Sequence, residues 1–310
     1  MGFGANPQGF FYTGIAMDGI ININKPKGYT SHDVVNIVRR AVNSRRVGHG
    51  GTLDPNACGV LVVCVGRATK FAGLVQNGDK VYRAVLVLGM ATDTQDITGT
   101  VIEERKVCVS SHEVTAAVMS FLGEGEQVPP MYSAIKVGGT ALYKLARKNI
   151  QVERKPRPIT IKAISVNRFI TDTHIEIDVH CSSGTYIRTL CHDIGQKLGV
   201  PATMGDLVRL RSSCFCINNA HTIENIKNNF NPEYITPTEV ILDSYKAVTL
   251  GSEHDKFLEN GNKINIKELV ATQNEIVKVY NNKQKFFGLY QFNENKFNKN
   301  TLKPIIYIGR

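Results

Sequence analysis

Residues 47–59 read VGHGGTLDPNACG, a carboxylate and an imidazole set among glycines. Gly48, Gly50, Gly51 and Gly59 allow backbone angles that other residues avoid and let a ligand come close. Asp54 precedes Pro55, which biases it towards an extended conformation. A carboxylate held this way can serve as a nucleophile or a base. A turn-forming aspartate beside a surface histidine, His49, would account for the same residues. Arg188 in SSGTYIRTL is a second candidate, because an arginine in the first turn of a helix opposes the helix dipole and asks for an anionic partner. An Asp–Arg pair keeps its carboxylate ionised, although most such pairs are structural. Tyr82 in KVYRAV lies between Lys80 and Arg83, where an aromatic ring could stack on a base or simply belong to the core.

These side chains need rigid elements on either side. GIININ (19–24) has strand character and stops at Lys25-Pro26-Lys27-Gly28. A helix follows, capped by Thr30 or Ser31 with Asp33 closing a capping box, and Val34, Val35, Val38, Ala41 and Val42 share one face. Arg39, Arg40, Arg45 and Arg46 at its end suit the dipole and could face phosphates. GVLVVCVG (59–66) and VYRAVLVL (81–88) read as fully buried strands. Ser110 and Glu113 form a capping box for a helix over 111–122. The stretch 123–158, rich in Gly, Pro, Lys and Arg, reads as an exposed insertion with a short helix around 139–147. Residues 159–170 and 174–181 alternate as strands, with Ile175, Ile177, Val179 and Cys181 on the inner side. Helix 185–198 takes Ser183 or Thr185 as its cap and Gly199 as its stop. A linker is expected at 236–244. Short strands at 264–266, 275–280, 286–292 and 305–308 then form a small β domain, with turns at Asn260-Gly261 and Asn281-Asn282. There is no internal repeat.

The bulk composition sets the class. The chain has 310 residues, of which 42% are hydrophobic and 21% charged, enough for one large domain and a small one. Thirty-seven basic against 27 acidic side chains leave +10, which favours a polyanionic partner. Seven scattered cysteines with no zinc-ribbon spacing fit a reducing cytosol without disulfides or a structural metal. No stretch reaches the length of a membrane span, and residues 1–16 lack a secretion signal's pattern. Phosphate-loop, zinc-deaminase and nucleophile-elbow motifs are absent. Spacing alone stops at a basic α+β enzyme or RNA binder.

Five stretches go further: NKPKGYTSHDVVNIVRR (24–40), VGHGGTLDPNACGVLVVCVGRATK (47–70), KVYRAVLVLGMATDTQDITG (80–99), QVPPMYSAIKVGG (127–139) and CSSGTYIRTLCHDIG (181–195). In order and approximate spacing they resemble the TruB family, bacterial synthases that convert uridine 55 of the tRNA T loop to pseudouridine. The resemblance implies an α+β pseudouridine-synthase fold. Its central mixed, largely antiparallel sheet would be flanked by helices, with a catalytic domain over 17–235 and a PUA-like RNA-binding module over 245–310. It implies Asp54 as the nucleophile, Tyr82 packed on the target base, Arg188 paired with Asp54, His49 supporting flipped-out nucleotides, and Tyr186 and Leu207 lining the uracil pocket. Attack of Asp54 at C1′, attack at C6 and a glycal route are all open to it. It implies no cofactor or metal, a tRNA T arm as partner, a monomer without protein partners, and a cytoplasmic setting. A guide-RNA-directed synthase subunit and a tRNA-folding chaperone with incidental catalysis are the rival readings. Three departures stand out: Gly50 where the family has Thr, Leu207-Val208-Arg209 for its L-R-R, and Asn149 for a common Gly. Ordered pattern begins at Met17, so a chain starting there is expected to retain full uridine isomerisation; loss of activity in that truncation would give residues 1–16 a role.

Overall fold

The computed structural model describes residues 17–148, 150–266, 271–294 and 300–309; the N-terminal extension and Asn149 lie outside the described residues. Strand β1 (Gly19–Lys25) leads into helix α1 (Ser31–Ala41), where Thr30 is the N-cap and Asp33 completes the expected box. Val34, Val35 and Val38 of α1 are buried, so its apolar stripe faces the core. Strands β2 (Val47–His49) and β3 (Cys58–Val65) follow. In β3 the alternate residues Leu61, Val63 and Val65 join the main core, while Val60, Val62 and Cys64 join a second cluster with Val75 and Phe215. Both faces are covered, which explains the unbroken apolar run.

Helix α2 (Ala72–Asn77) precedes β4 (Lys80–Leu88), the hairpin β5 (Met90–Thr92) and β6 (Val101–Glu104), and helix α3 (Ser111–Met119) with its Ser110–Glu113 box. The expectation of a fully buried β4 holds only for its second half. Tyr82 is half-buried on the cleft side, and exposed Arg83 makes a two-pronged bond to Asp178 at 2.8 Å through both Nε and Nη2. The next elements are β7 (Gly123–Gln127), the small pair β8 (Lys136–Val137) and β9 (Thr140–Ala141), α4 (Leu142–Ala146), the long hairpin β10 (Arg157–Phe169) and β11 (His174–Cys181), and α5 (Ile187–Leu198). Because β7 pairs with β10, residues 123–127 belong to the sheet and the insertion shrinks to 128–156. Its glycines hid the strand, whose glutamates point to solvent from a sheet edge.

Strands β12 (Ala202–Ser212), β13 (Phe215–Cys216) and β14 (His221–Thr222) and helix α6 (Ile223–Asn228) complete the unit. The main sheet runs β14-β1-β3-β12-β4-β11-β10-β7, with β13 beside β12 and β2 beside β3. Only the β1–β14 and β3–β12 pairings are parallel, so the sheet is mixed and largely antiparallel as expected. Helices α1, α3, α5 and α6 pack on one face, over Ile175, Ile177, Val179 and Cys181.

The segment over 236–244 is packed rather than a loose linker. Ile20 and Thr236 exchange two backbone hydrogen bonds of 2.8 Å, and Leu242 is fully buried against Phe71 and Leu289. Beyond it stand β15 (Lys246–Leu250), α7 (Asp255–Asn260), β16 (Ile264–Ile266), β17 (Ile276–Asn281), β18 (Phe286–Asn293) and β19 (Asn300–Tyr307). They form a sheet in the order β15-β17-β18-β19-β16. Sequence reading missed β15 and α7, and the Asn260-Gly261 turn is the end of α7, with Gly261 at φ 64°. Arg67 Nη1 and Lys70 Nζ donate to the carbonyls of Ile308 (2.7 Å) and Tyr307 (2.6 Å), joining this sheet to the larger unit.

Gly50 has a specific packing reason. A Cβ placed on it would lie 2.5 Å from Val75 Cγ1, so α2 fills the space that the family's threonine would occupy. Gly50→Thr is therefore expected to cost about 1–3 kcal/mol by overpacking. Val75→Ala in the same chain should recover most of that loss in urea unfolding, and simply additive losses would sink the account.

Candidate active site

The loop between β2 and β3 that carries Asp54 is held by side chains from three other elements. Ser31 Oγ donates to the Leu53 carbonyl (3.1 Å) and accepts from the Leu53 amide (2.9 Å). Lys25, fully buried, donates to the carbonyls of Tyr29 (2.8 Å), Pro26 (3.0 Å) and Pro55 (3.2 Å). Burial pushes its ammonium down to about 8. Arg209 on β12 donates to Val60, Gly51 and Thr52 carbonyls at 2.7, 3.1 and 3.2 Å. The carbonyls of Gly51, Thr52, Leu53 and Pro55 are thus satisfied by side chains from outside the loop, which frees the Asp54 side chain to face the cleft.

Arg188 reaches Asp54 from behind. Its Nε lies 3.1 Å from Asp54 Oδ2, and Nη1 lies 3.5 Å from Asp96 Oδ2. Nη1 also donates to the Thr94 carbonyl (3.2 Å) and Nη2 to that of Tyr132 (2.9 Å). The arginine side chain is 6% exposed, whereas 41% of the Asp54 side chain opens into the cleft. Protein surrounds the carboxyl on its other sides, so burial is the largest influence and raises its pKa. Arg188 opposes that rise and Asp96 adds to it. The sequence expectation that Arg188 keeps the carboxylate ionised needs this correction: the arginine works against a larger desolvation, through one nitrogen rather than a two-pronged grip.

Tyr82 on β4 lies beside the same cleft, and burial raises its phenol above the ordinary range. Tyr186 is the N-cap residue of α5 but caps it without a side-chain bond. The expected cap, Thr185, instead donates to the Ser182 carbonyl (3.0 Å). The end of α5 is pinned by Gln127, whose Oε1 accepts from the Tyr186 amide (2.7 Å) while Nε2 donates to the Tyr186 carbonyl (3.0 Å). Leu207, 6% exposed, supplies apolar lining.

Asp54, Tyr82, Arg188, Tyr186 and Leu207 therefore line one cavity of about 790 Å³. Tyr132, Ser133, Ala134, Tyr143 and Arg147 of the insertion form part of its wall. His49 does not line it. It sits half-buried on β2, its buried Nδ1 has no partner among the described residues, and burial, then Arg209 and His32, lower its pKa.

Four site residues escaped the sequence reading. Asp96 lay unused in TDTQDITG, whose alternating Thr and Asp mark a turn: Asp96 Oδ1 accepts from the Thr98 amide at 3.0 Å, leaving Oδ2 for Arg188. Lys25 reads only as part of a turn and Arg209 only as part of the Leu207-Val208-Arg209 stretch, neither with a role, and nothing local marks Gln127. The assembled site offers one solvent-facing carboxylate, a buried cation behind it, an aromatic wall, and room for a nucleoside. That suits nucleophilic attack on a bound base or sugar and its shielding from bulk water.

The model of the TruB family pseudouridylate synthase N-terminal domain matches residues 39–187, and that of the tRNA pseudouridylate synthase B C-terminal domain matches residues 188–244. Proteins named tRNA pseudouridine synthase B are similar along most of their length. The one from Alkaliphilus oremlandii is 46% identical over 84% of this chain and 87% of its own. The one from Clostridium perfringens strain ATCC 13124 is 43% identical over 91% and 97%. Among solved structures, a chain of a Cbf5-Nop10-Gar1 complex superposes with a TM-score of 0.68 at 25% identity, covering 90% of this chain and 79% of that one. An archaeal box H/ACA sRNP Nop10-Cbf5 complex gives the same TM-score at 22% identity, which supports the fold. The chain belongs to the TruB family of pseudouridylate synthases.

Proposed function

We propose that this protein isomerises uridine 55 in the tRNA T loop to pseudouridine, with Asp54 as the nucleophile. The observation that carries this reading is the placement of Asp54: open to a nucleoside-sized cavity, with a buried Arg188 at 3.1 Å. The relatives named for tRNA pseudouridine synthesis support the substrate, and their higher identity favours them over the Cbf5-Nop10-Gar1 complex as the guide to its biology.

The reaction breaks the C1′–N1 bond, turns the uracil and rejoins it through C5. The C5 hydrogen leaves as a proton and N1 gains one, so charge and oxidation state balance without a cofactor. Asp54 acts at the sugar or ring, Arg188 holds its carboxylate, and Tyr82 fixes the ring plane. Tyr186 and Leu207 line the uracil pocket, and His49 supports the flipped-out nucleotides outside it. The uridine must leave the T loop, at a cost of a few kcal/mol in lost stacking. The basic insertion, 128–156, and the C-terminal sheet grip the T arm and offset that cost. We read the protein as a cytoplasmic monomer acting on bare tRNA; no helix among the described residues is long and apolar enough to cross a membrane.

Tritium release from [5-³H]uridine T-arm RNA tests the reaction. Asp54→Asn is expected to lower it by about four orders of magnitude. Burial raises the Asp54 pKa, so its ionisation opposes folding as pH climbs past the ordinary carboxylate range, and Asp54→Asn should not lower the unfolding temperature. A residual rate near wild type would remove Asp54 from the chemistry. Arg188 holds the Asp54 pKa down, so Arg188→Met should move the acid limb of the kcat/KM profile to higher pH, with a larger loss at pH 6 than at pH 8; a uniform loss would assign Arg188 a different task. For the insertion, alanine at exposed Lys136, Lys144 and Lys148 should weaken T-arm RNA binding about 10–100-fold and flatten its salt dependence. Unchanged affinity would refute the clamp.

A further inference from the structure

Gln95 lies in the turn that faces Arg188, and its φ is 61°, a left-handed angle that a glutamine adopts only at some cost. Its neighbours on either side both serve the arginine. The Thr94 carbonyl accepts from Arg188 Nη1 at 3.2 Å, and Asp96 Oδ2 lies 3.5 Å from the same nitrogen. Gln95 itself reaches one residue further along α5: its Oε1 accepts a 2.8 Å hydrogen bond from the hydroxyl of Thr189, which is 3% exposed. A buried threonine inside a helix ordinarily donates to the carbonyl one turn back, whereas this one donates across to the turn. Residues 94 to 96 therefore hold residues 188 and 189 as a block.

The backbone of the turn is separately tied to the sheet. The Met204 amide donates to the Gln95 carbonyl (3.1 Å), the Ile97 amide to the Met204 carbonyl (2.8 Å), and Thr92 Oγ1 to the Asp96 carbonyl (2.7 Å). These bonds fix the turn on β12, and the Gln95–Thr189 bond fixes it on α5 without using the arginine. A strained backbone angle persists where its surroundings hold it, and such angles gather at functional sites. Glycine would take this angle freely but has no side chain to span the gap to Thr189.

We propose that Gln95 and Thr189 are a positioning pair for uridine isomerisation: their bond holds Thr94 and Asp96 against Arg188 and so sets the direction from which the guanidinium presents Nε to Asp54. The assignment rests on the uridine reading above, in which Arg188 holds the carboxylate that attacks. Neither Gln95 nor Thr189 lines the cleft, so both act through Arg188.

Single-turnover isomerisation of T-arm RNA compares Thr189→Ser, Thr189→Val, Gln95→Gly and the pair Gln95→Gly/Thr189→Val. Thr189→Ser keeps the hydroxyl and is expected to stay within about threefold of wild type. Thr189→Val and Gln95→Gly should each slow the step about 10-fold, with RNA affinity held within about threefold. Both break the same bond, so the pair should be no slower than either alone. The pair should also unfold close to the wild-type temperature, because glycine takes the left-handed angle without strain and no buried hydroxyl is left unpaired. A rate that stays near wild type, losses that multiply in the pair, or a loss that tracks a lowered unfolding temperature would each overturn the assignment. A second measurement needs no substrate: the Nε–H signal of Arg188 in ¹⁵N-arginine-labelled protein, identified by its absence in Arg188→Met. Its exchange with solvent should quicken in Gln95→Gly and in Thr189→Val but not in Thr189→Ser. Unchanged exchange in the first two would overturn the role. Wild-type protein that fails to isomerise uridine would count against the function reading, and the exchange measurement would still judge the pair.

Discussion

The pairing of Arg188 with Asp54 is the constraint around which the rest is arranged. One guanidinium contacts the β2–β3 loop, the Thr94 and Asp96 turn and Tyr132 of the insertion, and it does so from the first turn of a helix, against the dipole. A cation in that position is stable only if anionic and carbonyl oxygens converge on it. The sheet brings them together: β3 and β4 flank β12, the hairpin of β10 and β11 leads into α5, and Gln127 from the edge strand holds the start of that helix. Desolvation works on Asp54 against Arg188, so the carboxyl is poised between burial and a neighbouring charge.

Much of this frame can be read in the chain because local rules and the fold agree. Thr30 with Asp33, and Ser110 with Glu113, name their helices before any packing is known. The alternation of Ile175, Ile177, Val179 and Cys181 gives the inner face of β11. The family resemblance added roles to Asp54, Tyr82, Arg188, Tyr186 and Leu207, and the structure brings these five to one cavity.

What stayed hidden depends on contacts distant in sequence. The strand 123–127 contains two glycines and two glutamates and gains its structure from β10. Helix α7 has six residues and one buried side chain, Leu258, too few for a periodic stripe. The join at 236–244 looks loose because its order comes from Ile20, Phe71 and Leu289. His49 shares a motif with Asp54 yet does not line the cavity, since adjacent strand and loop positions need not share a face. Gln127 substitutes for a helix cap across 59 positions, which no local signature announces.

The separation of Asp54 from Arg188 along the chain has a consequence for how the protein comes into being. The ribosome delivers the Asp54 loop long before α5, and β12, which carries Arg209 and completes the centre of the sheet, emerges later still. A nascent chain therefore holds a carboxylate whose counter-charge has not yet been made, and closing that gap is a long-range step of the slow kind. The active centre is complete only once β12 has emerged, so a chain stopped before it has the loop but not the site.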